Sequence, residues 1–171
     1  MQGEPSHRIV EVDAGGIEVV EGLWRSMVAH HAEVAGDSWP IRNGDDSWRM
    51  RRAEYARWLG DGTGQMLTAV PLGGGEPDGY AVLTIHPTGP TFDHGELVGD
   101  LESLAVSPTA RGSGVGTLLI RACRRILLDR GVSAWIVTAV DSNAGAQRLY
   151  EREGFRPFAR ILAEPLNPAG G

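Results

Sequence analysis

The chain contains no lysine. All 16 basic side chains are arginine, and 22 Asp plus Glu residues leave a net charge of −6. That absence removes Schiff-base chemistry, lysine general bases and the phosphate-binding lysine of a Walker loop. The acidic balance argues against a general nucleic-acid-binding surface. Cys123 is the one cysteine, so no intrachain disulfide can form. No apolar run approaches the roughly 18 residues of a membrane span, and residues 1–12 show no basic-then-apolar leader. A cytoplasmic protein that engages no membrane is expected.

The chain has 171 residues, 42% of them hydrophobic, which suits one domain over 1–171 with an ordinary core. Residues 8–12 alternate weakly and predict a first strand. From Ile17 to His31 the apolar residues recur at helical spacing, a pattern that ends near Gly36. Asp46 and Ser47 can cap a second helix that stops at Gly60. Strands are expected over 65–72 and 79–86, joined by a glycine-rich connection, and over 96–106, where broken alternation predicts an irregularity. Residues 114–130 carry the strongest helical signal, with Val115, Leu118, Leu119, Ala122 and Ile126 as its apolar stripe and Cys123 on the boundary. Residues 133–140 read as a strand, a helix follows from 141 to about 152, and 155–162 read as a final strand pair. Strand, helix, strand in that order predicts a right-handed parallel crossover.

Between a strand and the long helix lies Arg111-Gly112-Ser113-Gly114-Val115-Gly116-Thr117. Glycines there let backbone amides converge, and the helix N-terminus adds positive potential, which suits a pyrophosphate. The same turn also serves as a tight connection. A Walker loop fails for want of lysine, and the dinucleotide fingerprint fails because the glycines are spaced Gly112-x-Gly114-x-Gly116. Arg111-x-x-Gly114-x-Gly116 fits a third pattern, Arg/Gln-x-x-Gly-x-Gly/Ala.

That pattern follows Leu104-Ala105-Val106-Ser107-Pro108 and precedes Asn143 and Leu149-Tyr150-Glu151-Arg152-Glu153-Gly154-Phe155. Together these residues resemble the GNAT superfamily of acyl-CoA-dependent N-acetyltransferases, over a core of about 96–158. The resemblance implies an α+β fold with a mixed, largely antiparallel sheet of six to seven strands, a parallel central pair splayed around CoA, and about four flanking helices. It implies acetyl-CoA as co-substrate. Leu104, Ala105 and Val106 would bind the pantetheine, and Arg111, Gly112, Ser113, Gly114, Val115, Gly116 and Thr117 the pyrophosphate. Asn143 would touch the cofactor or simply cap its helix.

Direct acetyl transfer to an amine needs a base and a stabiliser for the departing thiolate. By the resemblance Tyr150 takes the second role, its alternative being a core aromatic. Glu102 and Asp100, two apart on a strand, are the candidate bases, with Glu102 nearer the expected acetyl position; both also read as solvated strand residues. The loop between the first two helices covers the acceptor in this family, which brings Asp37, Trp39, Asp45 and Asp46 toward the amine. His30 and His31 either join them or complement a helix dipole. His86, Asp93, His94 and Glu96 match no ligand spacing, so no metal is expected. The reading is an N-acetyltransferase for a primary amine of a small molecule. Peptide or protein amines and a non-catalytic acyl-CoA-binding module are the alternatives. Homodimers are common in the family, so a homodimer is expected.

Overall fold

The computed structural model describes residues 6–36, 39–164 and 166. Five strands, β1 (His7–Val12), β2 (Gly64–Pro71), β3 (Gly79–Pro87), β4 (Leu97–Val106) and β5 (Ala134–Val137), form one sheet in chain order. The first four pair antiparallel, and β4 with β5 is the parallel pair. A 3₁₀ turn at Ile17–Val20 leads into α1 (Glu21–Ala35), and α2 (Gly44–Gly60), α3 (Val115–Asp129) and α4 (Ala144–Arg152) complete the fold. Among the described residues no helix is long and apolar enough to cross a membrane.

Strand alternation sorts side chains to two faces. One face, with Leu67, Ala81, Leu83 and Leu101, packs on Leu119, Ile120, Cys123 and Leu127 of α3. The other, with Met66, Tyr80, Val82 and Ala105, packs on Leu23, Trp24 and Val28 of α1 and Trp48 and Tyr55 of α2. Each such large apolar side chain contributes roughly 1.5–3 kcal/mol by leaving water. Close approach of α3 depends on Gly99, where a Cβ would lie 2.6 Å from Leu127 Cδ2.

Several expectations need correction. Asp46 does not cap α2; Asn43 does, accepting from the Asp46 amide at 2.9 Å. The Asn43 amide group in turn donates to Asp46 Oδ2 at 2.8 Å, a reciprocal arrangement that places the helix start three residues earlier. The fully buried side chains of α3 are Val115, Leu119, Ile120, Cys123 and Leu127, which pack on the sheet, while Ala122 and Ile126 of the expected stripe are only partly buried. Cys123 is thereby fully buried rather than at the boundary. Residues 155–164 form no strand, so among the described residues the sheet has five strands and not six or seven. Pro157 removes a ladder donor, and the Phe158 ring turns instead to Phe92 and His94, 4.8 and 5.4 Å away.

Candidate active site

The predicted irregularity in β4 is a one-residue slip. Val82 faces Ser103 and Leu83 faces Leu101, so Glu102 has no partner residue on β3. The extra residue changes the parity of the strand: Leu101 and Leu104 both turn to the α3 face. Between them, Glu102 and Ser103 both turn to the α1 and α2 side. Glu102 accepts from Thr84 Oγ1 at 3.0 Å, and Ser103 Oγ accepts from Tyr55 at 2.7 Å.

Pairing of β4 with β5 ends at Leu101 opposite Val137. Beyond that point the strands part, and the β5-facing backbone groups of Glu102 to Val106 have no ladder. A cleft of about 770 Å³ opens there, within the range of small-molecule sites. Leu104, Ala105 and Val106 line one wall and Thr138, Ala139 and Val140 the other.

At one end of the cleft stands the glycine turn. Gly112 and Gly114 have φ of 79° and 91°, a left-handed conformation that favours glycine, and a Cβ on either would meet nothing within 4 Å. The first intrahelical bond of α3 runs from Leu118 N to Gly114 O, so the amides of Val115, Gly116 and Thr117 point out of the helix end. Arg111, Gly112, Gly114, Val115, Gly116 and Thr117 all line the cleft. Open space over converging amides at a helix N-terminus fits a pyrophosphate. Ser113 does not line it; its hydroxyl donates to Ala110 O at 2.6 Å and holds the turn. Asn143 lines the cleft while capping α4, accepting from the Ala146 amide at 3.1 Å.

Tyr150 lines the cleft from α4, with its ring edge-on to Phe155 at 5.6 Å. Burial pushes its hydroxyl up to about 12. Among the described residues that hydroxyl has no hydrogen-bond partner, which leaves it free to donate into the cleft.

The far end is formed by α1 and α2. Trp24, Met27, His30 and His31 of α1 line it, with Arg51 of α2 and Glu102 of β4. Burial, and secondarily the charge of His30, lower the pKa of His31. Asp100 shares the face of Glu102 but lies outside the cleft lining; His86 Nε2 bonds its carboxylate, and that bond is the main reason the His86 pKa is raised. Trp39 is 41% exposed and does not line the cleft. Asp45 pairs with Arg25 at 2.8 Å and Asp46 with Arg49 at 2.9 Å. Asp37 lies outside the described residues. Among those residues no three His, Cys, Asp or Glu side chains gather as metal ligands would.

Sequence reasoning missed Trp24, Met27, Arg51 and Ser103. A signal for Arg51 existed: it sits between Trp48, Tyr55 and Trp58 at spacings of three and four, on the apolar stripe of α2, where a charged residue needs a reason.

The family model for the acetyltransferase (GNAT) family matches residues 24–155. The chain belongs to this family. A mycothiol acetyltransferase from Amycolatopsis mediterranei is 35% identical over 160 residues, which is 86% of this chain and 52% of the relative. The chain thus spans about half the length of that relative. Among solved structures, the tetramutant of the BH1408 protein from Bacillus halodurans aligns with a TM-score of 0.73 and 22% identity, covering 93% of this chain and 99% of that one. AAC(6')-Iy in complex with a bisubstrate analogue, CoA-S-monomethyl-acetylneamine, aligns with a TM-score of 0.69 and 20% identity, covering 95% and 99%. These structural likenesses establish the fold, with its parallel pair and flanking helices.

Proposed function

We propose that this protein moves an acetyl group from acetyl-CoA directly to a primary amine of a small molecule. The observation that carries the reading is the continuity of one cleft from the glycine turn, through the parted strands, to Glu102. A bisubstrate analogue, as in the AAC(6')-Iy complex, joins donor and acceptor in one molecule, and a single continuous cleft is what direct transfer requires. The acceptor end is bounded by Trp24, Met27, His30 and His31 of α1 and Arg51 of α2, and this favours a small acceptor over a protein chain.

In this reading the amides of Gly112 and of Gly114 to Thr117 hold the pyrophosphate, and the unpaired backbone of Leu104 to Val106 meets the pantetheine amides. Glu102 takes a proton from the ammonium, directly or through one water, and releases it to solvent. The freed nitrogen bonds to the thioester carbonyl carbon, the carbon–sulfur bond breaks, and the second nitrogen proton is the one that finally returns to sulfur. Asp100, outside the cleft, is held by His86 instead.

Tyr150 keeps its proton throughout the neutral range, because burial pushes its hydroxyl up to about 12. A thiol loses its proton near 8.5, so a tyrosine of that acidity stabilises a thiolate by a hydrogen bond more readily than by giving up the proton. The test is acetyl-CoA turnover against a panel of amines, with CoA affinity measured alongside by calorimetry. CoA binding without turnover of any amine would favour the non-catalytic module.

A further inference from the structure

The acceptor end contains a cation that transfer to a simple amine does not need. The Arg51 guanidinium lies 4.9 Å from the Trp24 ring centroid, 5.6 Å from Tyr55 and 5.7 Å from Trp58. Its side chain is only 23% exposed, yet it lines the cleft. Its ion partner is Glu54 at 3.1 Å, on the same helix and 48% exposed. A guanidinium carries five N–H donors in a planar fork, and one contact on the solvent side leaves most of them unused among the described residues.

Three aromatic faces fix where this fork sits. Tyr55, one of the three, donates to Ser103, which is the residue next to Glu102. The acceptor end therefore presents a held cation and a carboxylate on two adjoining elements. An amine with no other charge would meet Glu102 favourably and Arg51 unfavourably. An amine that also bears a carboxylate would meet both with opposite charge.

We propose that the acceptor is a primary amine that carries a carboxylate, an amino acid in chemical class, with Arg51 binding the carboxylate and Glu102 meeting the amine. This rests on the acetyl-transfer reading of the same cleft. It makes Arg51 the residue that sets acceptor specificity, while its aromatic neighbours pre-organise the fork and lower the entropy lost on binding.

The experiment uses matched acceptors with and without the carboxylate: leucine and isoamylamine, phenylalanine and phenethylamine, γ-aminobutyrate and propylamine. In acetyl-CoA turnover the wild type should prefer the acid of at least one pair by tenfold or more in kcat/KM. Arg51→Gln should reduce that preference by roughly ten- to a hundredfold, through KM, and Arg51→Lys should retain part of it. A merely structural role would lower both members of each pair alike. No preference in the wild type, or an equal loss for acid and amine in Arg51→Gln, overturns the proposal. A second readout needs no turnover. Trp24 and Trp58 flank the guanidinium, so tryptophan fluorescence of the CoA-saturated protein should change saturably with the amino acid, and not with its paired amine or in Arg51→Gln. Saturable binding without turnover would leave the specificity assignment standing and remove the catalytic reading alone. If turnover is absent and no amino acid gives a saturable change, the assignment of Arg51 falls.

Discussion

Thr84 and Glu102 are joined across β3 and β4 by a hydroxyl-to-carboxylate hydrogen bond of 3.0 Å, at the point where the pairing of the two strands slips. The bond fixes the one carboxylate that both lies on the slipped strand and lines the cleft. Glu102→Gln should lower kcat/KM by about a hundredfold, the usual loss of a general base. Part of the rate should return at high pH, where free amine is abundant. Asp100→Asn should do less, and Thr84→Val, which frees the carboxylate to move, should lie between. The pH profiles of the three variants check this; a collapsed profile for Asp100→Asn with an unchanged one for Glu102→Gln would transfer the role.

Gly114→Val should weaken CoA binding at least tenfold by calorimetry, since its side chain would project where the phosphates approach the amides. Backbone strain alone is controlled by Gly131, whose φ of 71° and open surroundings match but which lies at the other end of α3. Both valine variants should lose on the order of 2 kcal/mol of stability. Equal CoA affinity in the two would mean the turn is a connection only.

Tyr150→Phe should keep the fold and CoA affinity while slowing turnover about a hundredfold. Burial raises the Tyr150 pKa from 10 to about 12, so the folded state keeps a proton that the unfolded state has already lost between those values. Stability contributed by the neutral hydroxyl is present below pH 10 and lost as pH rises toward 12. The difference between wild type and Tyr150→Phe in alkaline denaturation measures that loss.

His86 and His31 should titrate on opposite sides of 6.5. Hydrogen bonding to Asp100 raises the first, and burial lowers the second. His86 therefore stabilises the fold at low pH and loses that contribution as pH rises through its own value. His31 does the reverse: its contribution is complete above 6.5 and is lost as pH falls through its lowered value. Proton NMR titration, with Asp100→Asn bringing His86 back toward 6.5, checks both.

Helical and strand periodicity located α3, β2, β3 and β4 within a few residues, because each buries one face against a layer that demands it. The slip in β4 was legible too, since 97–106 fails to alternate. What escaped depends on contacts between distant segments. Cys123 sits at the edge of the α3 stripe in sequence, and only its packing with sheet residues such as Leu83 and Leu101 buries it. The segment 155–164 has strand-like composition but no partner edge that it pairs with. Arg51 and Ser103 reach the cleft only because Tyr55 bridges α2 to β4, a relation of 48 residues in sequence that no local pattern encodes.

The burial of Cys123 bears on measurement. Its thiol is enclosed by the α3 side of the core and pushed up to about 12 by that burial, so it offers almost no thiolate at the pH of an assay. With one cysteine in the whole chain, a native sample should be silent toward a disulfide reagent such as Ellman's. Every equivalent of colour released in a turnover mixture then counts one molecule of CoA set free, and a slow rise in a sample lacking acceptor reports the opening of the core.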